Sequence, residues 1–505
     1  MGDMMTSKYE SLLTAVYEIH DLTKAQAVLM WDRETNMPKA GSKARTQQLT
    51  TLSRIVHEKS TSASFGELIE AAAAELNGSD YDSNEASLIR YLRRTYDDAT
   101  KLSDDFVKRA AEVSGAALQA WVKARAENDF AQFQPHLETV VEMCQEMADL
   151  YGYEDEKYDP LLDKYEHGMK TADVRAIFDA VKKEMIPLRE AIAEKGTAVS
   201  DALVHQEYPV EKQKEFARYI APFVGYDFKR GHLGTVVHPF ATSFTRNDAR
   251  ITTRWYPDFL NPSLFGTLHE SGHAIYEQGT HANLARTPLA RGTSSGIHES
   301  QSRMMENVVG RSRGFWQTHF PKLQSIFPEQ LGSATAEDFY RAVNKVQPSY
   351  IRVEADELTY NFHIILRFEL EQALLMGDLA VADLPTAWND KMNELLGVVP
   401  PTDTEGCLQD VHWTRPGFGY FPTYALGNLY AAQFFEAATE QNPTIATEMA
   451  EGKTDALMVW LGENIHQHGR KFTAGELAQR ASGKPLSHEA FMRYVTTKFT
   501  DLYNL

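Results

Sequence analysis

Apolar residues recur at steps of three and four along most of this chain. Tyr9, Leu12, Leu13, Val16 and Tyr17 fall on one helix face, as do Leu88, Tyr91, Leu92 and Tyr96. Val174, Ile177, Phe178, Val181 and Met185 repeat the spacing after Thr171, which predicts a helix capped by that threonine. Each stripe reads as core packing. The first 200 residues are nearly all of this kind, and no Gly/Ser linker, low-complexity run or fixed-period repeat interrupts them. The pattern predicts a mainly α fold: one large helical body over residues 1–505, which could divide into sub-domains 1–200 and 201–505.

Two stretches depart from helical spacing. From Gly231 to Trp255, the β-branched residues Val236, Val237, Ile251, Thr252 and Thr253 flank a polar, turn-rich segment, predicting two or three short strands. From Gly397 to Gly427, Pro400, Pro401, Gly406, Pro416, Gly417, Gly419 and Pro422 lie among aromatics. That composition predicts a long structured loop, and long loops inside compact domains are usually functional.

Composition narrows the function classes. The chain has 43% hydrophobic residues among 505, which is globular rather than disordered. Its 51 basic against 70 acidic residues give a net charge of −19, which repels nucleic acid and anionic lipid, so neither is an expected partner. Cys144 and Cys407 are too few for a disulfide framework and point to a reducing compartment. No run of 18 apolar residues occurs and no basic-then-apolar leader opens the chain, so a soluble, cytoplasmic protein is expected. Gly2 and Thr6 fit the loose N-myristoylation pattern, but Asp3 and the lack of a nearby basic patch count against it.

The segment that carries chemistry is His269-Glu270-Ser271-Gly272-His273, an H-E-x-x-H motif. On a helix, residues four apart share a face, so both imidazoles can reach one metal ion. Glu270, about 100° further round, can reach a water at that ion without ligating it. Zinc suits such a site because it takes nitrogen and oxygen ligands and leaves a position for water. A third ligand is needed. Glu299, in Ile297-His298-Glu299-Ser300-Gln301, starts a predicted helix that runs to Val309, after a loop from Gly279 to Gly296. Glu306 on the same helix competes. The implied chemistry is peptide-bond hydrolysis without a covalent intermediate, with Glu270 as general base and donors to the developing oxyanion.

Six short motifs surround and include this site: His238-Pro239-Phe240; Asp248-Ala249-Arg250-Ile251-Thr252; His269 to His273; His298 to Gln301; Ile351-Arg352-Val353-Glu354-Ala355-Asp356; and Gly406 to Trp413, Gly-Cys-Leu-Gln-Asp-Val-His-Trp. In this order they make the sequence resemble the carboxypeptidase Taq family of zinc metallocarboxypeptidases. The resemblance implies an almost wholly helical protein with a deep groove, a small β-sheet beside the zinc helix, and an architecture similar to neurolysin. It implies removal of single C-terminal residues from peptides, one zinc ion per subunit that cobalt can replace, and a homodimer. It assigns the metal ligands to His269, His273 and Glu299, and the base to Glu270.

A carboxypeptidase must also read the free terminal carboxylate, for which arginine has the best shape. Arg352 is the first choice, with Arg250 and Arg415 as alternatives. His238, His412 and Tyr420 are the candidate oxyanion and proton-shuttling donors, Tyr420 lying in a glycine-hinged aromatic loop. The strands near Ile251 could pair with an extended peptide. Related helical zinc peptidases often carry an acid four residues after the third ligand. Here Arg303 stands there, so the partner of His269 is expected to be Glu306 or Asp356.

Overall fold

Four helices lead the chain: Lys8–Thr35, Ser42–Thr61, Ala63–Glu75 and Asn84–Lys101. The computed structural model describes residues 7–505, so Gly2 and Thr6 lie outside the described residues. Ser7 opens the first helix with a reciprocal capping box to Glu10. Leu12 and Val16 bury against Phe65, Ile69, Leu88 and Leu92 in a satellite core that these helices close with Leu284 and Leu289. A second, much larger core draws on residues from Phe106 to Tyr503.

Within that larger core, the predicted stripe at Val174, Phe178, Val181 and Met185 is buried on the helix Thr171–Glu194. Thr171 is the first residue of this helix rather than its cap. Its hydroxyl and its amide both donate to Oδ1 of the buried Asp159, at 2.6 and 2.8 Å, so the hydroxyl is already engaged.

Among the described residues the sheet has three strands: β1 (Leu233–Thr235), β2 (Ala241–Thr245) and β3 (Asp248–Thr253), in the order β1-β3-β2. β1 ends before the predicted Val236-Val237 pair. The Val236 amide still bonds to the Thr253 carbonyl, but Val237 is 75% exposed in the turn that follows. β3 is central, parallel to β1 and antiparallel to β2. Ile251 faces Leu233 on one side and Ala241 on the other, so its own backbone is already paired and only the outer edges of β1 and β2 are left for a peptide strand. The first helix covers the outer strand: Lys24 donates to the Ser243 carbonyl at 2.8 Å, and Trp31 packs edge-on against Phe240.

The long loop is present, with a short 3₁₀ segment at Val411–Thr414 among its turns, but it stops earlier than predicted. A helix begins at Pro422 and runs to Gln441. Proline at the first helical turn has its φ preset and lacks a donor that the turn would leave unpaired, so Pro422 starts a helix rather than continuing a loop. The loop is moored by the buried Glu371, which accepts from the Tyr158 hydroxyl, the Trp413 indole and the Gly419 amide at 2.6, 2.9 and 3.0 Å. Gly419 has φ +93°, and a Cβ there would lie 2.5 Å from the Leu161 carbonyl.

A tight turn over residues 163–168 braces the centre of the molecule. Asp163 accepts from the Gly168 amide at 2.7 Å and lies 3.0 Å from His167 Nδ1. Burial would raise its carboxyl, but His167, the Gly168 amide and Arg94 together bring it down to about 2 from 3.8. A carboxylate depressed by folding stabilises above its unfolded value and loses that contribution as pH falls toward its folded value. Asp163→Asn should therefore lower the urea midpoint at pH 5. The deficit relative to the parent should shrink as pH falls from about 4 to about 2, as read from denaturation curves at each pH.

Candidate metal centre

The helix Asn261–Gly279 carries His269, Glu270 and His273 and is buried along most of its length. It crosses the helix Ser295–Arg303, which carries Glu299. The crossing is close because position 272 is glycine: a Cβ there would lie 2.2 Å from the Gln301 carbonyl oxygen. A third helix, Pro422–Gln441, presses on the other side of Glu299. A Cβ on Gly427 would stand 2.5 Å from Glu299 Cγ.

Glu299 lies in the second turn of its helix, which begins at Ser295 rather than at Glu299 as predicted. Ser294 caps that helix through the Ile297 amide at 3.0 Å. The 163–168 turn completes the cap: the Tyr165 carbonyl accepts from the Ser295 amide at 3.0 Å, and buried Glu166 accepts from the Gly296 amide. Burial pushes the Glu166 carboxyl up to about 8, with the Gly296 amide and the Ser294 hydroxyl pulling against that. After Arg303 the helix widens into a π-helical turn over Met304–Val309, which carries Glu306.

His269, His273 and Glu299 each offer one ligand atom, and these atoms lie within 4.8 Å of one another. Glu299 Oε2 is 3.6 Å from His269 Nε2 and 3.4 Å from His273 Nε2. Two ligand atoms each about 2.1 Å from one tetrahedral ion would be about 3.4 Å apart. The donor set therefore fits a shared divalent cation.

The opposite ring nitrogens are engaged as metal ligands require. His269 Nδ1 is 2.8 Å from Glu306 Oε2, and His273 Nδ1 is 3.0 Å from the His298 carbonyl and 2.6 Å from His298 Nδ1. Glu306 thus sits behind the His269 ring and not at the ligand position. Asp356 is elsewhere: it accepts from the amides of Gln347, Leu358 and Thr359 at the foot of the helix Tyr360–Met376.

Arg303 binds this cluster together. Its Nε donates to Glu299 Oε1 at 2.7 Å and its Nη1 to Glu306 Oε2 at 3.1 Å. Burial pushes both carboxyls up, but Arg303 and the histidines outweigh it, holding Glu299 well below the usual range and Glu306 at about 2. Glu270 differs. Burial pushes it up to about 8, His273 pulls against that, and Glu299 and Glu306 add to it. Its Oε2 is buried without a hydrogen-bond partner beside the three-ligand cluster.

The remaining sequence candidates divide into two groups. Arg352 is buried: its guanidinium meets Asp410 Oδ1 at 2.7 Å and the Tyr360 hydroxyl at 3.0 Å. Arg303 lies 4.2 Å over the same Tyr360 ring, which links Arg352 to the ligand cluster. Arg367 shares Asp410, through Oδ2. Tyr420 stacks on His412 at 5.7 Å and meets Tyr165 and Tyr424 edge-on, while His412 Nδ1 lies 3.6 Å from Asp410. Away from this group, Arg250 is held by a two-pronged pair with Asp248 on β3, both contacts 2.8 Å. Arg415 is exposed, and His238 is exposed on the turn between β1 and β2.

A metal-ligand set on two crossed helices, with its outer nitrogens buttressed and an unpartnered glutamate alongside, is the constellation of a metallopeptidase. The chain belongs to the carboxypeptidase Taq (M32) metallopeptidases, whose sequence model matches residues 11–499. It is 39% identical to thermostable carboxypeptidase 1 of Thermus thermophilus, over 98% of this chain and 99% of that one. It is 37% identical to carboxypeptidase 1 of Bacillus subtilis, over 96% and 97%. Among solved structures, the M32 carboxypeptidase from Deinococcus radiodurans R1 superposes with a TM-score of 0.95 at 37% identity, covering 99% of this chain and 100% of that one. The protein is accordingly a metallocarboxypeptidase acting on peptides.

Glu306 gives a direct test of how the cluster is held. Glu306→Gln keeps the shape but removes the charge that faces His269 and Arg303. Divalent-metal affinity, measured by chelator competition, should fall by about 10–100-fold.

Proposed function

We propose that this chain is a zinc-dependent carboxypeptidase that releases single C-terminal residues, with His269, His273 and Glu299 as ligands and Glu270 as general base. The observation that carries this reading is the unpartnered, buried Oε2 of Glu270 beside the three ligand atoms. A buried carboxylate oxygen with no donor is costly unless a substrate or water proton meets it during turnover. When bound, the zinc ion supplies Lewis acidity toward the scissile carbonyl and lowers the pKa of water.

The chain's own groups do the rest. Glu270 takes the proton from the attacking water and returns it to the leaving amine. Tyr420 and His412 stand within one aromatic cluster, from which the Tyr420 hydroxyl can donate to the tetrahedral oxyanion. Arg352 reads the terminal carboxylate. Asp410 and Tyr360 fix its guanidinium plane in advance, so binding loses little side-chain entropy. Arg250 is held by Asp248 but only half-buried, and Arg415 is exposed. Peptides with a free C-terminus are the substrates.

Two measurements test the reading. Glu270→Gln should lower kcat by about 10²–10⁴-fold while zinc content stays at one ion per chain, read by peptide turnover and metal analysis. Mass spectrometry of a peptide with a free C-terminus should show loss of one residue at a time, abolished by a chelator. The amidated form of the same peptide should stay intact, and internal cleavage of that form would point to an oligopeptidase.

A further inference from the structure

The groups behind His273 form a line that the ligand motif alone does not describe. His273 Nδ1 is 2.6 Å from His298 Nδ1, and His298 Nε2 is 2.9 Å from Glu277 Oε1. Glu277 is buried and lies one turn beyond His273 on the same helix. The Gly292 amide donates to Glu277 Oε1 at 3.2 Å. The His298 ring packs against Tyr276, with centroids 5.5 Å apart. Position 292 must be glycine for that ring to fit, since a Cβ there would lie 2.5 Å from His298 Cδ2. The line is thus sterically built and not a chance approach of two rings.

With both rings neutral, one proton arrangement lets each ring nitrogen in the line meet its neighbour, while Glu277 Oε2 has no partner. Glu277 is an acceptor, so His298 Nε2 carries hydrogen and His298 Nδ1 has a free lone pair. His273 Nδ1 must then be the donor, which leaves the His273 Nε2 lone pair facing Glu299 and the metal position. The His298 backbone carbonyl, 3.0 Å from His273 Nδ1, would fix the same tautomer without the His298 side chain. The two acceptors differ in one respect: only the side chain connects His273 to a negative charge.

We propose that His298 and Glu277 are positioning residues that act in series: Glu277 orients and polarises His298, and His298 orients and polarises the ligand His273, raising its affinity for the metal. This rests on the reading of His269, His273 and Glu299 as ligands. A parent protein that binds no zinc would sink that reading, whereas the variants below address only the line behind it.

The test is a double-mutant cycle on zinc affinity in the full-length protein, measured by chelator competition. Glu277→Gln and His298→Phe should each weaken zinc binding by about 10–100-fold. Glu277→Gln should have no further effect once His298→Phe is present, because the charge then has no path to His273. The cobalt-loaded Glu277→Gln protein should also show a shifted d–d spectrum, which a purely structural role would leave unchanged. Equal losses from Glu277→Gln in both backgrounds would overturn the series arrangement. Zinc affinity within twofold of the parent in both single variants would show that the His298 carbonyl suffices. Should His298→Phe fail to fold, Glu277→Gln alone decides: a tenfold or greater loss with a shifted cobalt spectrum supports the line, and anything less overturns it.

Discussion

The structure depends on keeping three carboxylates and two imidazoles in one small buried volume. Glu270 and Glu299 are buried, and Glu306 and the two histidines are half-buried beside them. Ionised carboxylates in such a place are strongly unfavourable unless countercharge and donors reach them. Arg303 answers part of this by touching both Glu299 and Glu306. It also occupies Oε1 of Glu299, which leaves Oε2 turned to the histidines. The arginine that stands where related helical zinc peptidases often carry an acid therefore exchanges roles with Glu306: the acid moves two helical turns beyond the third ligand, and the cation fills the gap.

Distant segments hold this arrangement in place. Glu166 and Tyr165 come from the N-terminal half of the chain and finish the cap of the helix bearing Glu299. The same turn offers Tyr165 to Tyr420, while Glu371 fixes the loop in which Tyr420 sits. The aromatic cluster and the ligand cluster are thus tied to one brace. Arg352, Asp410 and Tyr360 extend the tie toward Arg303, so the group proposed to read the peptide terminus and the group that steadies the ligands share a side chain.

Much of this was legible in the sequence. Helical spacing gave the mainly α body, and β-branched residues around Ile251 gave the sheet. The H-E-x-x-H spacing and Glu299 marked the ligand cluster, because a local motif on a helix fixes its own geometry. The shortfalls have physical reasons. Strand order is a matter of non-local pairing, so nothing local showed that β3 is central and already paired on both edges. Glu166, 133 residues before Glu299, has no pattern linking it to that helix. Glu277 did have one, lying four residues past His273, but helix-face spacing cannot tell a buttress from a surface charge. The early start of the last loop's helix was signalled by Pro422, which reads equally as a breaker or as a first-turn residue.

Gly272 and Gly427 let three backbones meet around Glu299 at distances that no side chain would allow. Because the main chains themselves touch there, the spacing of the imidazoles and the carboxylate is dictated by the helical scaffold, not by the ion. In small metal-stapled domains the cation is the folding energy. A scaffold packed this closely by its own backbones is expected to outlast the loss of its cation, so that one ion could be exchanged for another without unfolding.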